Sequence, residues 1–279
     1  MNIYKLRKAA GSRMMIYFML VFLSATFLAP LLWAFVTSLK GQGAIFEYPP
    51  RLIPKEFRWQ NYKEALTMYP WLTFFRNSVI ITVMSVAGTV LSSPFIAFAF
   101  ATLRFPGRRI LFYLVLATMM IPYYTTLIPR YILFKNMGWI NTFFPLFVPD
   151  FFGNAFFIFL LRQYFMGIPR DLYDAAKIDG CSTFQAYWRI YFPLAKPALI
   201  TVAILQFMTV WSDFIGPLIY LQSQDKYTLV LGLNAFRGVY FTYWHYLCAI
   251  ALLISIPPIL FFFLAQKRII GGITISGFK

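Results

Sequence analysis

The sequence predicts an all-α membrane protein of six transmembrane helices, with a polar helix pair set between the fourth and the fifth. Three observations predict it. Hydrophobic residues make up 60% of the 279 residues and charged residues 12%, where a soluble domain carries roughly 25% charged residues. Six apolar runs, at about 14–39, 77–103, 110–129, 142–161, 198–223 and 246–266, each match the ~20 residues that cross ~30 Å of hydrocarbon. Between the fourth and fifth lies an island, 162–197, that holds eight charged side chains. The chain thus reads as one transmembrane domain, 1–279, with 162–197 as its polar loop.

In chain order, the run at 14–39 is too long for the apolar part of a cleavable leader and lacks a small-residue cleavage pattern, so it is expected to stay as an anchor. Pro30, Pro94, Pro122, Pro217 and the Pro257-Pro258 pair fall inside runs. Kinks there are tolerated where neighbouring helices or an internal cavity satisfy the freed carbonyls. Orientation follows from Lys and Arg in the short connections. Lys5, Arg7, Lys8 and Arg13 precede the first run, Arg104, Arg108 and Arg109 join the second to the third, and Lys267, Arg268 and Lys279 follow the last. With six spans, both termini and the island face the cytoplasm, and 15 cations lie inside against 10 outside. The net charge of +16 is therefore expected to sit in loops at the inner membrane surface, and no soluble basic domain supports nucleic-acid binding.

The island reads as two short helices hinged at a glycine. Pro169 presets a first helical turn, and Leu172, Ala175 and Ala176 fall at i, i+3 and i+4 on a small-residue face. Gly180 is placed to close that helix in the left-handed conformation. Ser182 and Gln185 have capping-box spacing at the start of a second helix, and Phe184, Tyr187, Trp188 and Tyr191 repeat at helical spacing as an aromatic stripe. Such an element is built to touch something outside the lipid.

Catalysis finds no support. Cys181 and Cys248 lie in different compartments of this topology, and the only histidine, His245, reads as an interfacial anchor rather than a catalytic group. No lysine is followed by Ser or Thr, so the chain has no phosphate-cradling P-loop, and any ATP and magnesium would be held by another polypeptide. Only Asp150 and Asp213 are charged within the runs, and intramembrane acids by default face a cavity or a polar partner. Asp213, beside Trp211 and Ser212, has two readings: a group that accepts from a solute's hydroxyls, or one that satisfies backbone freed near Pro217. Asp150 with Asn154 on one face of the fourth run is a second candidate for a pathway lining, and Tyr123, Tyr124, Thr125 and Thr126 a third.

The island resembles the cytoplasmic "EAA" loop of ABC importer permeases. Asp174, Ala175, Ala176, Gly180, Ile190 and Pro193 occupy the positions of that pattern, with Asp174 where glutamate is usual and Phe192 where leucine is usual. The segment Tyr48, Pro49, Pro50, Arg51, Leu52, Ile53 and Pro54 with Asn61 and Tyr62, the stretch 211–214 with Pro217-Leu218, and the tail 272–279 resemble carbohydrate-importing permeases of the kind that includes the second maltose-transporter permease. The resemblance implies a multi-pass protein of a bacterial or archaeal inner membrane. It implies a second homologous permease, two ATP-binding subunits, an extracytoplasmic solute-binding protein, and a sugar or oligosaccharide substrate. It also implies that Asp174, Ala175, Ala176, Asp179, Gly180 and Phe184 couple the chain to an ATPase. A permease for a non-sugar solute and a self-contained secondary transporter are the alternative readings.

Overall fold

The computed structural model describes residues 3–238 and 241–274, with side chains from Met14 onward except those at 265 and 267–274. The basic side chains at 5–13, 267 and 268, and residues 275–279 of the tail, lie outside what is described. The described residues form helices and turns, with one isolated bridge between Arg237 and Thr242. Two compact units divide the chain: residues up to Tyr69 with Leu233–Ser255, and Pro70–Gly232 with the residues from Ile256 onward.

In the first unit, helix α1 (Ile3–Ser38) runs through Pro30 without interruption and contains the apolar span Met14–Ser38. Its end is closed by α2 (Gln60–Met68): the Asn61 side-chain amide donates to the carbonyls of Ser38 (2.7 Å) and Lys40 (2.9 Å), and the Ser38 and Tyr62 hydroxyls meet at 2.8 Å. Those carbonyls are left over at the helix terminus, so the buried Asn61 replaces the missing turn. Lys40 is itself buried, donating to the Arg51 carbonyl (2.6 Å) over the Trp33 ring.

The second unit is built around α3 (Trp71–Thr102), a 32-residue helix that continues through Pro94. The third run is broken. Helix α4 (Arg108–Thr118) and the segment Tyr123–Asn136, which includes α5 (Leu127–Asn136), meet at 95° across Met119–Pro122. The fourth run is also interrupted. A single turn, α6 (Phe144–Phe147), and a 3-10 stretch (Val148–Phe152) end at Gly153 (φ +91°), after which α7 (Ala155–Met166) starts with Asn154 as its N-cap. Its side chain accepts from the N–H groups of Phe156 (3.0 Å) and Phe157 (3.4 Å).

The polar segment then forms α8 (Asp171–Ile178), α9 (Thr183–Ala186), a π-helical turn (Tyr187–Tyr191) and α10 (Phe192–Leu194). Helix α11 (Lys196–Trp211) leaves it at 76°. The fifth run, expected as one span over 198–223, stops at Trp211 and resumes as the short α12 (Ile215–Tyr220), followed by the turn α13 (Leu229–Gly232). Helix α14 (Trp244–Thr274) carries Pro257 and Pro258 without a break and shares its residues between the two units. Among the described residues, four helical segments are long and apolar enough to cross a membrane, or six if each bent pair counts as one span. His245, in the first turn of α14, is buried against Tyr246, with ring centroids 4.0 Å apart. Both cysteines are free thiols.

Candidate functional site

The polar helix pair is fixed first by its own backbone. Helix α8 ends in a Schellman motif: the Cys181 N–H donates to the Ala176 carbonyl (2.9 Å) and the Gly180 N–H to that of Lys177 (3.1 Å). Gly180 has φ +79°, and a Cβ there would meet nothing within 4 Å, so conformation alone requires glycine. The capping box forms as expected, with the Gln185 N–H donating to Ser182 Oγ (3.1 Å) and the Ser182 N–H to Gln185 Oε1 (2.8 Å). Lys177 Nζ donates to Thr183 Oγ1 (3.0 Å), which joins the two helices across the turn.

The aromatic stripe divides into an inner and an outer pair. Tyr187 and Tyr191 are buried, with centroids 5.3 and 4.9 Å from the Phe98 ring of α3, and Tyr191 also packs on Phe165 of α7 (5.8 Å). Tyr187 and Phe95 meet edge to face at 5.4 Å. Phe184 and Trp188 remain 59% and 39% exposed, so the stripe holds the loop to the helices with one edge and presents the other. The expected small-residue face divides in the same way. Ala176 is buried, whereas Leu172, Ala175 and Asp179 are exposed beside Ile178, which is 87% exposed. Asp174 is exposed and faces Arg170 at 3.8 Å. The helix pair is thus seated on α3 and α7 while Leu172, Ala175, Ile178, Asp179 and Phe184 are exposed.

The intramembrane candidates are held by internal partners. Asp150 and Asn154 do not share a helix face, because the chain turns at Gly153; each reaches α3 separately. Ser85 donates to the Asp150 carboxylate, Ser92 donates to the Asp150 carbonyl (2.8 Å), and the Asn154 N–H donates to Ser93 Oγ (3.2 Å). Gln206 of α11 adds its amide to Ser85 Oγ (2.7 Å), so one buried network ties α3, the 3-10 stretch and α11 together. The approach is close: a Cβ on Gly88 would come within 2.7 Å of the Phe151 ring. Asp213 Oδ1 accepts from the Gly216 N–H (3.2 Å), which gives the start of α12 the acceptor its free N–H requires. Trp211 is buried, stacked on Phe207 (5.4 Å) and edge-on to Phe75 (6.2 Å), while Ser212 is exposed. After the break in the third run, Thr125 and Thr126 donate to the carbonyls of Pro122 (2.6 Å) and Tyr123 (2.7 Å), whereas Tyr123 and Tyr124 are exposed.

Sequence reasoning passed over Ser85, Gln206 and Arg130. Thr82, Ser85, Thr89, Ser92 and Ser93 recur along α3 at helical spacing, a hydroxyl stripe visible in an otherwise apolar run, and Gln206 is an amide amid the apolar residues of the fifth. Arg130 falls just beyond the expected third span, yet its segment folds back so that the guanidinium lies over the Tyr123 ring at 5.7 Å.

Residues 92–274, which include the helix pair, match the family described as the binding-protein-dependent transport system inner membrane component. A probable ABC transporter permease of Pyrococcus horikoshii is 36% identical over 248 residues, 88% of this chain and 90% of that protein. The permease of a diacetylchitobiose uptake system in Streptomyces coelicolor is 31% identical over 264 residues, 94% and 87% of the two chains. The arabinooligosaccharide transport permease of Bacillus subtilis is 32% identical over 270 residues, 95% and 94% of the two chains. In fold, the chain superposes on a crystal structure of a bacterial ABC transporter that imports the acidic polysaccharide alginate. The TM-score is 0.80 at 24% identity, with 94% of this chain and 97% of that one covered.

Proposed function

This chain belongs to the family of binding-protein-dependent transport system inner membrane components, and from that premise we propose that it is one of two permeases lining the import pathway for an oligosaccharide. In this reading a second homologous permease completes the pathway. Two partner subunits bind and hydrolyse ATP with magnesium, and an extracytoplasmic binding protein delivers the sugar. The chain has both termini and the 162–197 loop in the cytoplasm. Oligosaccharide relatives support the substrate class.

The observation that carries the reading is the seated helix pair. Closure of the ATPases pushes on the exposed Leu172, Ala175, Ile178, Asp179 and Phe184, and Asp174 and Asp179 accept hydrogen bonds from the ATPase surface. Tyr187 and Tyr191 carry that displacement to α3 and α7 through Phe98 and Phe165. The pathway is then a two-state element biased by a ligand bound to a different polypeptide.

The test is reconstitution of the chain with its partner permease, ATPases and binding protein in proteoliposomes. Uptake is measured for a panel of labelled arabino-, galacto- and maltooligosaccharides and diacetylchitobiose, with labelled amino acids and other non-sugar solutes as comparators. ATP-driven uptake of a panel member that requires the binding protein is expected. Uptake that persists without the ATPases would make the protein a secondary transporter, and uptake confined to amino acids or other non-sugars would remove the sugar assignment.

A further inference from the structure

The breaks in the third and fifth runs are joined by aromatic contacts, Tyr131 stacking on Tyr220 of α12 (6.5 Å) and Phe134 meeting the same ring edge to face (5.4 Å), and the acids Asp150 and Asp213 stand at the breaks of the fourth and fifth runs. Irregular backbone at membrane depth is tolerated where it is enclosed by protein or lines a water-filled cavity, and interrupted helices recur at transport sites.

Within this group the two acids are committed. Asp150 takes the Ser85 hydroxyl and Asp213 the Gly216 N–H. Arg130 is different. It is half-buried, and among the described residues its guanidinium forms no ion pair and donates no hydrogen bond; its contact is the face of Tyr123. Tyr123 is 44% exposed, so its ring is open to the surroundings. A planar fork of N–H donors next to an aromatic plate matches a sugar ring, which presents an apolar C–H face and a rim of hydroxyl oxygens.

We infer that Arg130 and Tyr123 form the saccharide-contacting pair of this subunit, the tyrosine ring as platform and the guanidinium as donor to ring hydroxyls. The inference rests on the oligosaccharide-importer reading above.

The test uses the assembled transporter and the panel sugar that the wild type takes up. Arg130→Gln should lower uptake at least tenfold, Arg130→Lys should retain an intermediate rate, Tyr123→Phe should stay within about twofold of wild type, and Tyr123→Ala should resemble Arg130→Gln. Lys135→Gln, on the same helix, serves as the control that leaves uptake unchanged. A diazirine derivative of that sugar, photolysed in the vanadate-trapped complex, should label residues 123–130 of this chain. Normal uptake by Arg130→Gln at wild-type yield, or labelling confined to the partner permease, would overturn the assignment and leave Arg130 as an anchor to lipid phosphate. Equal losses of complex yield and uptake in Arg130→Gln and Arg130→Lys would overturn it in favour of a structural role. If the wild-type complex takes up no panel sugar, the substrate reading fails first and this inference with it.

Discussion

The buried network of Asp150, Ser85 and Gln206 makes a quantitative prediction. Replacing Asp150 by Ala removes the acceptor for a Ser85 hydroxyl that is completely buried, while the bond from Gln206 to Ser85 Oγ survives. One buried donor is thereby stranded, at about 1–3 kcal/mol. Interhelical hydrogen bonds within membranes average ~0.6 kcal/mol and reach ~1.7 kcal/mol when measured by cycles, so the Asp150–Ser85 coupling should fall near the upper figure, because Ser85 has no water to turn to. Asp150→Asn keeps an acceptor oxygen and should cost well under the alanine variant. The double variant Asp150→Ala with Ser85→Ala should cost less than the sum of the singles, since the stranded donor is removed along with its partner. Reversible unfolding of the purified complex in mixed detergent, followed by intrinsic fluorescence, gives all four corners of the cycle. Strict additivity, or an Asp150→Ala variant as stable as wild type, would refute the network as a structural tie.

Three further outcomes follow from the geometry. Gly180→Ala should cost about 1–2 kcal/mol through left-handed backbone strain alone, since its Cβ meets open space; faster amide exchange over 181–186 and weaker co-purification of the ATPase would register it, and unchanged values would make the turn incidental. Asp213→Ala strands the Gly216 N–H and should lower melting temperature and complex yield together, whereas Asp213→Asn should restore both; normal stability of the alanine variant would detach Asp213 from the break. In a background without Cys181 and Cys248, an impermeant thiol reagent on intact cells should label a cysteine at the exposed Gln224 and spare one at the exposed Arg109, and the reverse pattern would invert the topology.

What was legible in the sequence was local. The glycine closure at Gly180 and the Ser182–Gln185 box depend on residues a few positions apart, so their spacing alone specifies the turn. Hydropathy located the apolar runs, but a sliding average does not register where a backbone bends. The third, fourth and fifth runs break at Met119–Pro122, Gly153 and 212–214 because Asn154 and Asp213 supply acceptors for new helix starts and threonines for freed carbonyls. Periodicity placed Tyr187, Tyr191, Phe184 and Trp188 together without saying what stood opposite, and only Phe98 and Phe165 separate the inner pair from the outer. Asp150 and Asn154 were found as residues and misplaced as a pair, since their shared face required a helix that Gly153 ends. Arg130 was missed because its segment folds back at 95°.

The seating of Tyr187 and Tyr191 on Phe98 and Phe165 also limits how the protein can exchange parts with its relatives. The outward surface of the helix pair, 171–186, is shaped by a Schellman closure and a capping box that it carries within itself, so under the proposed coupling role it should be transplantable between permeases as a cassette that redefines the ATPase it fits. The seam lies after Ala186. Any chimera cut further along separates two tyrosines from the rings that receive them, and recombination within such a family should therefore have its crossovers either before the π-helical turn or on both sides of the whole α3–α7 aromatic seat.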